Sequence, residues 1–207
     1  MKKFIIGIGI VLGVLLLIAL MISGSYNKLV RLQTATDGSW AQVQNVYQRR
    51  ADLIPNLVAT VSGAANFEKS TLTEITAARA SVGQIKLDPN KAPTDTAALA
   101  QFDKAQQGLS SALSRLLVVV ERYPDLKATA NFRDLQAQLE GTENRIAVER
   151  GRFNETVQAY NAAIKSIPAV FYAGIAGFKE RPYFTATPGA EAPPKVDFTQ
   201  PATTPAK

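Results

Sequence analysis

The segment Leu99-Ala-Gln-Phe-Asp-Lys-Ala-Gln-Gln-Gly-Leu-Ser-Ser-Ala-Leu-Ser-Arg-Leu-Leu-Val-Val-Val-Glu-Arg-Tyr123 carries a strict apolar rhythm. Leu99, Phe102, Leu109, Leu113, Leu116, Val120 and Tyr123 follow one another at steps of three and four, with Gln106 the one polar residue on the line. A helix places residues at that spacing on one face, so the pattern is a heptad seam that must be buried along its length. Pro124 cannot continue the helix and ends it. A second long helix is predicted from Ala130 to Ile167, with Phe132, Leu135, Leu139, Ile146, Phe153, Val157, Tyr160, Ile164 and Ile167 facing inward and Pro168 closing it. At ~1.5 Å per residue these helices are roughly 40 and 57 Å long, too long for a globin-like packing. They fit an all-α, elongated antiparallel bundle, four-helix-like, with coiled-coil packing.

Upstream of the seam the same periodicity recurs. Leu29, Leu32, Thr36, Trp40, Val43, Tyr47, Arg50, Ile54, Leu57 and Val61 form one stripe, crossed by Pro55, which is expected to kink or interrupt the helix. A shorter stripe runs through Leu72, Ile75, Arg79 and Val82, and Lys86 to Asp95 reads as a loop because Asp88-Pro89-Asn90 and Pro93 favour turns. From about Thr185 the chain turns into Thr, Ala and Pro, a composition that cannot bury a core and is expected to be disordered.

Phe4 to Ile22 is a different kind of helix. Its nineteen residues hold no charge and are mostly Ile, Leu and Val. Roughly 28 Å of helix matches the ~30 Å hydrocarbon core of a bilayer. The competing reading is a cleaved secretory signal, with Lys2-Lys3 as its charged head and Ser23-Gly24-Ser25 as the cleavage site. An apolar region of about 7–15 residues is usual there, and this one is longer, so we favour an uncleaved single-pass anchor. Tyr26 suits the interface at its exit. The chain therefore divides into an anchor (1–25), a helical bundle (26–184) and a tail (185–207), held in the cell membrane. Lys2, Lys3 and the amino terminus outweigh Lys28 and Arg31 by one charge, which leans the bundle toward the outside of the cytoplasm.

Composition narrows function by exclusion. The 207 residues include no His and no Cys. That removes thiol and histidine nucleophiles, Ser-His pairs, the usual zinc ligands and phosphohistidine relays. A net charge of +6 and a pI near 9.6 raise the question of nucleic acid. The basic residues are scattered among carboxylates and not interleaved with aromatics, so attraction to anionic lipid is the simpler reading and no nucleic-acid partner is expected. No cofactor is expected either. Glu121, Asp125, Glu140, Glu143 and Glu149 lack the histidines of a di-iron bundle and are expected to pair with Arg115, Arg122, Arg145 or Arg150.

Two segments stand out as candidate contacts. In Arg49-Arg50-Ala51-Asp52-Leu53-Ile54-Pro55-Asn56 the guanidiniums of Arg49 and Arg50 are able to grip a carboxylate or phosphate. The architectural alternative pairs Arg50 with a carboxylate on a neighbouring helix and has Asp52 and Asn56 satisfy the backbone near Pro55. In Gly177-Phe178-Lys179-Glu180-Arg181-Pro182-Tyr183-Phe184, the residues Phe178, Lys179, Arg181, Tyr183 and Phe184 form either an exposed patch for a partner or a lid docked on the bundle. The apolar residues 169–176 before it extend that patch toward the bilayer. Tyr123-Pro124-Asp125-Leu126-Lys127-Ala128 reads as a hairpin turn, with Thr129 capping the next helix.

Several of these words resemble the LemA family of bacterial membrane proteins: Tyr26-Asn-Lys-Leu-Val30, Trp40, Arg49 to Val58, Ala78-Arg-Ala80, Glu121 to Ala128, Leu139 to Ile146, Phe153-Asn154, Tyr160-Asn161 and Gly177 to Phe184. They occur in order over residues 26 to 184. The resemblance implies one membrane helix followed by an α-helical bundle, and it brings no catalytic or ligand-binding residues. The expected role is a membrane-anchored scaffold or adaptor, not an enzyme, that meets an unidentified protein partner through its helix faces. Homo-oligomerisation through the Leu99–Tyr123 seam is part of that expectation. The alternative is a sensor or remodeler of anionic membrane surfaces.

Overall fold

The computed structural model describes residues 2–64 and 67–185, the side chain of Lys3 excepted. Among them the fold is all-α: α1 (Lys2–Ser62), α2 (Lys69–Gln84), α3 (Thr96–Val120), a short α4 (Pro124–Ala128) and α5 (Ala130–Lys165), followed by a 3-10 turn (Ala169–Phe171). Residues 186–207, nearly all of the tail expected to be disordered, lie outside the described residues.

One helix serves as both anchor and core element. α1 runs without a break from the apolar segment into the bundle, across the boundary drawn at residue 25. Its first part exposes every large apolar side chain from Phe4 to Ile22 and is long and apolar enough to cross a membrane. From Leu29 onward the predicted stripe is buried, with Trp40, Val43, Leu57 and Val61 wholly so.

Pro55 does not interrupt α1, which continues to Ser62. The missing amide leaves the carbonyl of Ala51 without its helical donor. Arg79 of α2 donates to that carbonyl through Nε at 3.1 Å. Asp52 does not serve the backbone there, since it accepts from the Gln48 amide at 2.7 Å instead.

α5 packs antiparallel along α1, so that Leu29 meets Tyr160, Trp40 meets Phe153 and Arg50 meets Glu143. α2 and α3 pair antiparallel to each other, stitched at the surface by Arg115–Glu74 and Arg122–Glu68. Among the described residues the core runs as three successive clusters. The distal one, around Ile54, Leu57, Ile75, Leu116 and Phe132, draws on α1, α2, α3 and α5, with Leu126 of α4. The middle one is aromatic, with Trp40 between Phe102, Phe153 and Phe184. The proximal one, nearest the apolar end of α1, involves only α1, α5 and residues 169–178.

The α3 seam is buried within the chain: Leu99, Phe102, Leu109, Leu113, Leu116 and Val120 are all covered. It is therefore not open for sharing between protomers. α5 ends at Lys165, so Ile167 lies past the helix and is 77% exposed rather than inward. Thr129 caps α5 as expected, accepting from the Phe132 amide at 3.3 Å. The turn before it contains α4, opened by Pro124.

Candidate functional site

Arg50 sits in the middle of α1, where the apolar stripe would place a Leu, and it is 1% exposed. Its Nη1 donates to Ser110 Oγ and to Glu143 Oε2, both at 2.8 Å. Its Nη2 donates to the Gln106 carbonyl oxygen at 3.3 Å and to Gln106 Oε1. The one polar residue on the α3 seam is thus the partner that makes a buried guanidinium tolerable. Arg50 is held by α3 and α5 together, and this is the architectural alternative raised by the sequence. Arg49, one residue earlier, faces solvent.

A second buried guanidinium belongs to Arg181, 3% exposed. Its Nη1 donates to the Ala92 carbonyl and its Nη2 lies 3.4 Å from Asp37 Oδ1. Asp37 Oδ1 also accepts from the Ala92 amide at 2.8 Å. One carboxylate and one guanidinium therefore join α1, the loop after α2 and the C-terminal segment. Trp40 Nε1 fixes the same loop by donating to the Asp88 carbonyl at 2.8 Å.

Residues 178–185 form an extended strap along α5. Asn161 Nδ2 donates to the Arg181 carbonyl at 2.8 Å, and Asn161 Oδ1 accepts from the Arg181 amide at 2.9 Å. Asn154 treats Phe184 identically, both contacts at 2.9 Å. The spacing explains the fit. Seven residues of helix rise about 10.5 Å, and three residues of extended chain span about 10 Å. Each Asn presents one donor and one acceptor, so a side-chain amide stands in for the neighbouring strand that an extended segment otherwise needs.

The strap therefore docks on the bundle and only part of it remains a surface. Phe178 and Phe184 are 7% and 6% exposed and belong to the proximal and middle clusters. Arg150 Cζ stacks 4.4 Å from the centre of the Phe184 ring, and its Nη1 pairs with Asp103 at 2.9 Å. Of the seven candidate contact residues, Arg50, Phe178, Arg181 and Phe184 are thus occupied internally. Arg49, Lys179 and Tyr183 lie at the surface.

Asn154, Asn161 and Asp37 were not singled out as site residues from the sequence. The signal was present as the dipeptide Phe153-Asn154 repeated seven residues later as Tyr160-Asn161. Burial raises the Tyr47 hydroxyl above the ordinary tyrosine value, with Arg150 and Arg50 opposing it. Burial likewise raises Tyr160, opposed by Arg181. Outside the core, Lys165 pairs with Glu180 at 2.8 Å, which raises the lysine's pKa.

The carboxylates are dispersed, and among the described residues no group of acidic side chains is placed to hold a metal ion. Glu143 pairs with Arg50, Glu149 with Arg152 and Glu121 with Lys127. At the far end of the bundle a cleft of about 600 Å³ opens between the end of α1 and the α3–α5 connection, lined by Thr60, Arg122, Tyr123, Asp125, Leu126 and Asn131 among others.

The chain resembles several known proteins. It is 28% identical to magnetosome protein MamQ 2 of Paramagnetospirillum magneticum over 187 residues, covering 81% of this chain and 67% of that one. MamQ of Magnetospirillum gryphiswaldense is 27% identical over the same coverage. Protein LemA of Metamycoplasma hominis is 25% identical over 141 residues, 68% of this chain and 60% of that protein. The LemA family profile matches residues 39–198, past Phe184, where the motif resemblance stopped. With that profile spanning most of its length, the chain belongs to the LemA family.

Proposed function

We propose that this protein is a single-pass membrane scaffold: α1 spans the bilayer, and the bundle presents helix faces and the distal cleft to a protein partner, without catalysis. The observation that carries this reading is the continuity of α1, which joins an exposed apolar span to a fully packed core with no linker between them. Such a design couples the bundle stiffly to the span, which a scaffold needs. The buried polar groups serve architecture, since both interior arginines are engaged by neighbouring elements. The names of the relatives carry no catalytic activity, in keeping with this role. The contact candidates are the surface residues Arg49, Lys179 and Tyr183 together with the distal cleft.

Photo-crosslinking residues placed at Arg49, Asn131 and Tyr183 in living cells test the proposal. Discrete adducts at one or more positions support it. Their absence at all three, with a purified chain that does not self-associate, overturns it.

A second reading, recognition of anionic lipid, draws on the net charge of +6 and on Lys28 and Arg31, exposed just past the span. A chain lacking residues 1–24 that floats with anionic vesicles and not with neutral ones, in a salt-sensitive manner, favours it over the scaffold. The orientation we favour places the bundle outside the cytoplasm. Because the native chain has no Cys, cysteines at Lys3 and Val118 report it without background. An impermeant maleimide labels only Val118→Cys in intact cells if the orientation is right, and only Lys3→Cys if it is reversed.

A further inference from the structure

Between the end of α5 and the strap, residues 166–178 carry no charge, with Lys165 on one side and Lys179 on the other. The segment folds as consecutive tight turns: the Ala173 amide donates to the Ala169 carbonyl at 2.8 Å, and the Phe178 amide to the Ala173 carbonyl at 2.9 Å. Gly177 takes φ +83°, a left-handed conformation glycine adopts without strain, and there the chain turns back toward the bundle. One side of the turn is anchored. Ala169, Ala173 and Phe178 pack with Leu29 and Tyr160, while Tyr172 OH and Ser25 Oγ lie 2.8 Å apart in a hydrogen bond. The Phe178 ring meets Tyr26 edge-on at 5.5 Å between centroids.

The other side is bare apolar surface. Phe171 is 74% exposed, Ile175 92%, Val170 51% and Ile167 77%. A soluble bundle does not ordinarily gather four large apolar side chains on one exposed turn, and such a cluster marks an interaction surface. Its position identifies the occupant. Ser25 lies only three residues past Ile22, about 4.5 Å of helix rise beyond the apolar span. That height falls in the headgroup zone that borders a ~30 Å hydrocarbon core.

We propose that the turn at residues 166–178 is a second membrane contact, inserting Phe171 and Ile175 into the leaflet from which α1 emerges. The reading rests on α1 spanning that bilayer. The charges suit it: Lys28 and Arg31 are exposed on α1 about 9 and about 13.5 Å of helix rise past Ile22, Lys179 is exposed where the turn ends, and Lys165 is neutralised by Glu180. The two contacts together fix both the height of the bundle and its rotation about the axis of α1, which a lone helix leaves free.

The test uses the full chain reconstituted in phosphatidylcholine vesicles, with single nitroxide-labelled cysteines at Leu12, Val118, Phe171 and Ile175. All four positions are exposed and tolerate the label. Collision with dissolved oxygen reports lipid, and collision with a water-soluble nickel chelate reports water. Labels at 171 and 175 that resemble Leu12, with nickel collision several-fold below Val118, support the proposal. Nickel collision at 171 and 175 equal to that at Val118, with Leu12 still in lipid, overturns the turn's insertion and leaves the anchor standing. Low collision with both reagents at 171 and 175 overturns it in favour of a covering protein surface. A nickel-accessible Leu12 overturns the anchor and the insertion together.

Discussion

The distal and proximal ends of the bundle bury their apolar surface by different means. At the distal end four helices enclose Ile54, Leu57, Ile75, Leu116 and Phe132, with surface ion pairs around them. At the proximal end α2 and α3 have dropped away, and α1 and α5 are joined only by a turn and a strap. The distal core is held mainly by interlocking side chains, and polar contacts there lie at its margin. Toward the proximal end, side-chain amides and a guanidinium tie backbone to backbone because too few helices remain to enclose a core. The thinner end is also the one beside the apolar span of α1, where the proposed bilayer takes the place of missing helices.

The contrast is open to direct attack. The largest effect belongs to the distal core. Leu116→Ala should cost about 3 kcal/mol of global stability, read from chemical denaturation of the chain in detergent. The matching change at the proximal end, Leu29→Ala, is expected to leave that midpoint nearly unmoved. It should instead speed amide exchange in residues 166–178, because local opening there does not unfold the rest. Equal global losses at the two sites would erase the distinction.

Arg50→Ala comes next, at about 2–3 kcal/mol. It strands the buried Gln106, whereas Glu143, with its side chain half exposed, is able to return to water. Arg50→Met paired with Gln106→Leu should recover much of the loss, since the buried pair is removed together while Ser110 and Glu143, the remaining partners, are able to turn to each other and to water. Failure of that rescue means the guanidinium does more than fill the core.

A smaller loss follows Asn161→Ala, about 1–2 kcal/mol, because the Arg181 amide and carbonyl lose their partner in a buried setting. The loss should appear as proteolytic nicking of the strap while the distal helices stay protected. Asn154→Ala, nearer the surface, should do less.

The smallest effect is one of pH. Tyr47 and Tyr160 have pKa values raised by burial above the ordinary tyrosine value of about 10, so the folded state holds its protons more tightly than the unfolded chain. Their contribution to stability is complete below about pH 10 and is lost as pH rises through the folded values. Tyr47→Phe with Tyr160→Phe should flatten the stability profile above pH 10.

Long helices were legible because each buries a single stripe. Every position of the Leu29–Val61 stripe is covered or nearly so, and Gln106 was visible as the irregularity it is. What escaped depended on distant partners. The carbonyl of Ala51 that Pro55 leaves free is met by Arg79 from the next helix, a partner distant in sequence. The strap has no periodicity of its own, so its docking is specified by Asn154 and Asn161 on α5 rather than by its own residues. Ile167 kept the α5 rhythm in sequence, yet the helix had already stopped at Lys165. Periodicity continues on paper beyond the last hydrogen-bonded turn.

The unbroken course of α1 has a mechanical consequence. In the proposed membrane-spanning arrangement, the helix is a lever whose fulcrum is the membrane surface. From Ile22 to Ser62 the arm is roughly 60 Å long. A spanning helix meets a thinner bilayer by tilting, and a tilt of about 10° swings the far end of such an arm by roughly 10 Å. On the proposed arrangement, the thickness of the membrane would be converted into a displacement of the distal cleft.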